Sequence, residues 1–210
     1  ALKFLMEKTK QKLFKDYKHF FSMDEGIAEF SLAQAQKLGA SYAEARFEKT
    51  KASSLVMKNG TIEASSYDSF QGIGIRFLIN KKLGFVSTNE LTKKRISEIL
   101  ERAMKVTKAT KSLGENTSLS RERTEKAKYE VKQKQKLADV GVEQKIQLLK
   151  DAEKAIQNTK VSVPSRYVVL SDTDTEEYFT NSDGAKILAH VPRMNFYYFL
   201  TIAANQKVTQ

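Results

Sequence analysis

The sequence predicts an α+β fold: mostly antiparallel sheet, in one piece or two, with helices packed on one face. Three observations carry this. Stretches of period-2 alternation lie close together and are joined by short turns, the mark of hairpins. Three stretches with apolar residues at helical spacing separate groups of strands rather than alternating with single strands. The resulting order of helix, strands, helix, connector, helix, strands is that of a layered α+β domain.

The first helix opens at Ser22-Met23-Asp24-Glu25, a capping box in which a hydroxyl and a glutamate satisfy each other's orphan N–H groups. It puts Ile27, Ala28, Leu32, Ala35 and Leu38 on one stripe, and Gly39 stands where a left-handed residue ends a helix. Ala43, Ala45 and Phe47 then alternate with Glu44, Arg46 and Glu48, a half-buried strand. Ser54–Lys58 reads as a second strand and Thr61–Ser66 as its return, joined by Asn59-Gly60, which tolerates positive φ at both positions. Ile73, Ile75, Phe77 and Ile79 alternate with Gly72, Gly74, Arg76 and Leu78, and Asn80-Lys81-Lys82 turns this strand into Leu83–Thr88.

Thr92 caps the second helix, with Leu91 and Ile96 placed as a hydrophobic staple. Its expected buried face is Ile96, Ile99, Leu100, Ala103, Val106 and Ala109. Residues 111–126 read as a polar loop and Tyr129–Lys134 as a short strand. Val142, Ile146, Leu149, Ala152 and Ile156 mark the third helix. Beyond Pro164 come strands over Arg166–Ser171, Glu176–Asn181, Ala185–His190 and Met194–Ile202, with Ser182-Asp183-Gly184 as a turn. The pattern leaves open whether the two strand groups share a sheet. Residues 1–22, Lys-rich with scattered apolar positions, are expected to form a basic helical extension to a domain over residues 23–210. Thr201–Gln210 follow an apolar strand without any capping device, which reads as a point of truncation.

The 210 residues carry a formal net charge of +11, which raises nucleic-acid binding as a function. The excess is local. Residues 91–160 hold eighteen Lys/Arg against ten acids, whereas residues 23–90 are balanced at eight of each. A nucleic-acid groove interleaves aromatics with its basic residues, yet Tyr129 is the one aromatic between Thr92 and Lys160. Solvated lysine faces account for the charge better than a specific nucleic-acid partner. No apolar run approaches the ~20 residues needed to span a bilayer, and the N-terminus lacks a signal-peptide pattern. The expectation is a cytoplasmic protein with no membrane partner.

The chain has no cysteine and two histidines, His19 and His190, far apart in sequence. No zinc spacing is present, so neither a metal ligand nor a catalytic residue is assigned. Gly72-Ile73-Gly74 lacks the following helix of a nucleotide loop and reads as a bend or a close approach within a strand. Asp172-Thr-Asp174-Thr-Glu176-Glu177 lacks the glycine and distal glutamate of a calcium loop and reads as a solvated loop between strands.

Between Gly39 and Ala109 four pieces occur in order. They are A-x-Y-A-E-x-R after a helix, V-x-K-N-G at the hairpin, G-x-G-x-R-x-L, and G-F-x-S-T-N-x-L leading into a helix. Together with N-S-D-G at Asn181–Gly184, this resembles the N-terminal half of the TldD/PmbA family, also described as modulators of DNA gyrase. The resemblance covers roughly Asp24–Gln210. It implies a two-domain zinc metallopeptidase whose H-E-x-x-x-H motif lies in a C-terminal half, acting on peptides or unfolded proteins and pairing with a homologous subunit as a homo- or heterodimer. This chain holds no such motif, so zinc is implied for the full-length family and not for these residues. The family also has subunits without the motif, which leaves an inactive partner subunit or a regulatory binding module of the gyrase-modulator type as the alternative.

The positions singled out by the motifs are Asn59, Gly60, Gly72, Gly74, Arg76, Gly84, Ser87, Thr88, Asn89, Asn181, Ser182 and Gly184. Asn59 and Gly60 are expected to make the turn. Gly72, Gly74 and Gly84 would permit close approach, Arg76 would line a cleft, and Ser87–Asn89 would lead into the helix cap. A sheet edge could hold an extended substrate by strand addition. The continuous apolar run over Met194–Ile202 further implies that something covers its second face.

Overall fold

A computed structural model describes residues 25–110, 117–120, 124–204 and 207–209. The predicted extension over residues 1–22, with His19 and the Ser22 end of the capping box, lies outside them. The elements in chain order are α1 (Glu25–Lys37), β1 (Tyr42–Lys58), β2 (Thr61–Ile79), β3 (Lys82–Thr88), α2 (Lys93–Ala109), β4 (Lys126–Glu130), a 3-10 turn (Leu137–Asp139), α3 (Val142–Gln157), β5 (Ser165–Asn181), β6 (Lys186–Ala204) and β7 (Lys207–Thr209). The strands pair in the order β3–β2–β1–β5–β6–β4, with β7 on β6. This is the predicted α+β fold, with a large antiparallel sheet and helices packed against it. The two strand groups share one order of pairing. One pairing departs from the antiparallel sense: the bonds from Lys186 N–H to Glu125 C=O and from Val131 N–H to His190 C=O advance together along both segments, so β4 runs parallel to β6.

The largest correction is to strand length. Ala43–Glu48 and Ser54–Lys58 are one strand, as are Thr61–Ser66 and the Ile73–Ile79 stretch. The four strands expected beyond Pro164 are two. The polar stretches that suggested breaks are accommodated by partners across the sheet. Thr50 Oγ1 lies 3.0 Å from Thr175 Oγ1, and Ser53 Oγ donates to Asp172 at 2.7 Å. The Asp172–Glu177 cluster is therefore the middle of β5 and not a solvated loop. The short strand expected at Tyr129–Lys134 lies earlier, at Lys126–Glu130, and residues 131–134 are not part of it.

The residues cluster into two compact units, and β1, β2 and β5 contribute to both. Among the described residues, the first comprises 25–47, 73–110, 117–120, 124–125 and 178–186. In it α1 ends as read from Gly39: Gly39 has φ +96°, its N–H bonds Gln36 C=O, and Ala40 N–H bonds Ala35 C=O, a Schellman motif. Thr92 Oγ1 accepts from Arg95 N–H and starts α2. This helix packs on α1 and β3. Its buried residues are Ile96, Leu100 and Met104. Val106 and Ala109, expected inside, are exposed, because the buried line follows i, i+4, i+8 down a single ridge.

The second unit comprises, among the described residues, 48–72, 126–177, 187–204 and 207–209. Its core is Leu55 and Met57 of β1, Val168 and Leu170 of β5, and Leu149 of α3, with Ile62, Ile146, Ala152 and Ile156 packed around them. The third helix thus buries the face its spacing predicts, apart from exposed Val142 at its start.

Candidate functional site

The motif positions fall into three places. Asn59 (φ +48°) and Gly60 (φ +83°) form the two-residue turn between β1 and β2. Asn59 also accepts from Arg166 N–H through Oδ1 at 2.9 Å and donates its own N–H to Arg166 C=O at 2.9 Å. Arg166 in turn pairs with the buried Glu153 of α3 at 2.8 Å.

A second group gathers at the other end of β1. Arg76 Nη2 is 2.7 Å from Glu44 Oε1, and Tyr42 OH donates to Glu44 Oε2 at 2.6 Å. Asn181 Nδ2 donates to the Tyr42 oxygen at 3.4 Å. Burial, with the Glu44 hydrogen bond added, pushes the Tyr42 hydroxyl up to about 12. The hydrogen bond to Glu44 raises Arg76 as well. Ser182 Oγ accepts from Ala43 N–H, and Ser182 N–H donates to Ala43 C=O, which fastens the turn to β1. Asn181 Oδ1 accepts from Ala185 N–H, and Gly184 takes φ +98°. Arg76, Asn181 and Ser182 thus come together through Tyr42, Glu44 and Ala43, and Arg76 is engaged in an ion pair.

The third group lies along β2 and β3. Gly84 is paired with Phe77 and Gly74 with Ser87. The ring of Phe77 occupies the space over Gly84, and the ring of Phe85 lies 3.2 Å from where a Cβ of Gly74 would stand. These glycines admit aromatic rings from the neighbouring strand. Thr88 Oγ1 accepts from Glu90 N–H just before the cap. Gly72, Ser87 and Asn89 follow in the same strand region, with Ser87 and Asn89 exposed.

The residue pattern did not disclose a cavity of about 380 Å³ in the second unit. Ser65, Ser66 and Tyr67 of β2 line one side, and Leu137, Ala138, Val140 and Val142 the other. Lys51, Ala52, Ser53 and Leu55 of β1, Lys145 of α3, and Asp172 and Asp174 of β5 complete it. Three of its polar groups are engaged with one another, while Lys51 stands exposed in the lining. Lys145 Nζ is 2.6 Å from Asp172 Oδ2 and 3.0 Å from Ser53 Oγ, and both ends of the ion pair are about nine-tenths buried. An ammonium donating to a carboxylate has no lone pair for the serine proton, so Ser53 and Lys145 are not a nucleophile with its base. Asp174 bonds His190. Beside it, burial raises the Glu176 carboxyl, and the charge of Asp174 adds to this against Lys49, His190 and Lys51. The signals for this site were the Ala64-Ser65-Ser66 run, read only as part of a return strand, and the acids of β5, read as a solvated loop. Among the described residues no group of three or more His, Cys, Asp or Glu is arranged to hold a metal ion.

Two family models match the chain, the metallopeptidase domain 1 of PmbA/TldA over residues 43–107 and the metallopeptidase central domain over residues 135–208. The chain belongs to the TldD/PmbA family. A metalloprotease of Methanocaldococcus jannaschii is 25% identical over 157 residues, which is 74% of this chain and 34% of the relative. Among solved structures, a candidate modulator of DNA gyrase from Bacteroides thetaiotaomicron superposes with a TM-score of 0.70 at 17% identity, over 88% of this chain and 42% of that one. TldE of Thermococcus kodakarensis gives 0.64 at 19% identity, over 88% and 41%. This TldD/PmbA chain therefore spans about two-fifths or less of the length of these relatives, and the structural likenesses carry the fold alone.

Proposed function

We propose that this chain is a noncatalytic part of a TldD/PmbA zinc metallopeptidase that acts on peptides or unfolded proteins. It supplies scaffold, a substrate cleft and a surface for a homologous subunit, and the chemistry belongs to the length of its relatives that it does not span. The observation that carries this reading is the pair of metallopeptidase domain matches, in order along the chain. The open edge of β2 offers a substrate backbone a place to add as a strand.

The test is metal analysis and a peptidase assay on the tag-free 210-residue chain. The expected result is less than stoichiometric zinc and no cleavage, because no ligand set converges among the described residues. One tightly held zinc per chain, or cleavage abolished by a chelator, would overturn the proposal. An H-E-x-x-x-H motif in the reading frame beyond Gln210 would separate this reading from that of an inactive partner subunit.

A further inference from the structure

The cavity in the second unit is lined by four charged side chains, Lys51, Lys145, Asp172 and Asp174. Three of them are engaged. Lys145 holds Asp172 at 2.6 Å, and Asp174 bonds His190. Lys51 is the fourth. It stands exposed on β1, and among the described residues it has neither a hydrogen bond nor an ion pair through its ammonium. Its charge is felt at Glu176, where it favours the carboxylate against burial. Ser65, Ser66 and Tyr67 add exposed hydroxyl groups to the same lining. The opposite wall is apolar, formed by Leu137, Val140 and Val142.

A carboxylate entering this space would meet the Lys51 ammonium, whereas a second ammonium would meet it as a like charge. An aliphatic stem behind the carboxylate would lie along Leu137, Val140 and Val142 and lose only water. A glutamate side chain has this make-up, an apolar stem ending in a carboxylate. The volume of about 380 Å³ is at the small end of ligand pockets, which run roughly 300–1,000 Å³.

The backbone beside the cavity says what would carry such a side chain. All of β3 pairs with Ile73–Ile79 of β2. Thr61–Gly72 therefore has β1 on one side and, among the described residues, no strand on the other. It contains neither the Lys nor the Pro that blunts natural sheet edges. An unpaired row of backbone N–H and C=O groups is satisfied best by another extended backbone. Ser65, Ser66 and Tyr67 are consecutive, and successive strand side chains point to opposite faces, so a cavity lined by all three reaches this edge.

We propose that the cavity is a subsite for the glutamate side chain of an extended polypeptide added to the open edge of β2, with Lys51 as the partner of the carboxylate. This rests on the reading of the chain as peptide-binding and names the side chain that the edge selects at one position.

The experiment uses the whole chain and labelled peptides of about eight residues, the length of an ordinary strand. They are rich in Thr and Ser, with Lys at both ends to offset Glu63 and Asp68 of the edge. One central position carries Glu, Gln or Lys. Fluorescence anisotropy is expected to show the Glu peptide binding about fivefold tighter than the Gln peptide, the upper range for an exposed ion pair, and the Lys peptide weakest. Lys51→Met is expected to remove the difference between Glu and Gln while the Gln peptide binds as before. Lys51→Glu is expected to reverse the order, so that the Lys peptide binds tightest. Equal affinity for Glu and Gln, lost when alternate backbone nitrogens are methylated, would leave strand addition standing and overturn the subsite. A Glu preference that survives Lys51→Met would overturn the assignment to Lys51. Failure of every peptide to bind, or binding indifferent to N-methylation, would overturn strand addition and the subsite with it. A dimer broken by Tyr67→Lys and competing with peptide would place a second copy on the edge and overturn the proposal as well.

Discussion

Gly84 and Gly184 show that glycines in one chain answer to different physics. A methyl built on Gly84 would overlap the buried Phe77 ring and lie 2.8 Å from Thr107 Oγ1. Gly184 has φ +98° but nothing within 4 Å of its hypothetical Cβ. Gly84→Ala is expected to cost about 3 kcal/mol through overpacking, and Gly184→Ala only about 1 kcal/mol through its backbone. Chemical denaturation of both variants checks the order, and equal losses would contradict it. Tyr42 links a residue to pH. Its folded-state value is raised from 10.0 to about 12, so its contribution is complete below pH 10 and fades as pH climbs through 12. Urea unfolding is expected to place Tyr42→Phe about 1 kcal/mol below wild type at pH 8, with the gap narrowing by pH 11. A gap that widens with pH would mean that the phenol is held as phenolate.

The third helix is anchored to its strands by charge as well as by its apolar face. Leu149 sits in the core with Val168 and Leu170. One turn before it Lys145 reaches Asp172, and one turn after it Glu153 reaches Arg166. Removing one member of a buried pair strands the other, at a typical cost of about 3 kcal/mol or more. Lys145→Met and Asp172→Asn are each expected to lose about that much. The double variant Lys145→Met/Asp172→Asn should lose less than their sum, with a coupling of about 2 kcal/mol. Strict additivity in thermal or chemical melts would show that the pair is not an energetic unit. Lys145 on Asp172 and His190 on Asp174 help β5 to run unbroken through these acids.

The chain as a whole leaves apolar surface in water. Met194, Phe196, Tyr197, Tyr198 and Phe199 of β6 are all exposed, with Tyr198 at 59%. Tyr197 and Phe199 stack edge to face, and Phe199 lies near Tyr167. Monomers rarely expose a contiguous aromatic patch without a partner. Light scattering after size exclusion is expected to find the wild type self-associating and Tyr197→Ser/Phe199→Ser shifted toward monomer without loss of the fold. A monomeric wild type, strongly destabilised by the two serines, would show the strand to be internal core. Among the described residues no helix is long and apolar enough to cross a membrane.

The sequence by itself determined the α+β class, the three helices and the turns, because these rest on interactions within a few residues. Asn59-Gly60, Gly39 and Thr92 act on neighbouring N–H and C=O groups, and local spacing reveals them. The family motifs were legible for the same reason. The length of the strands was not legible, because Lys49, Lys51, Asp172 and Asp174 look like breaks until partners from distant segments arrive. The burial of Met104 in place of Val106 depended on which ridge of α2 meets the sheet, and periodicity allows several. The cavity was hidden most completely. It is made by Ser66, Val142 and Asp172, which no local pattern connects and which only the pairing of β1 with β2 and β5, under α3, brings to one place.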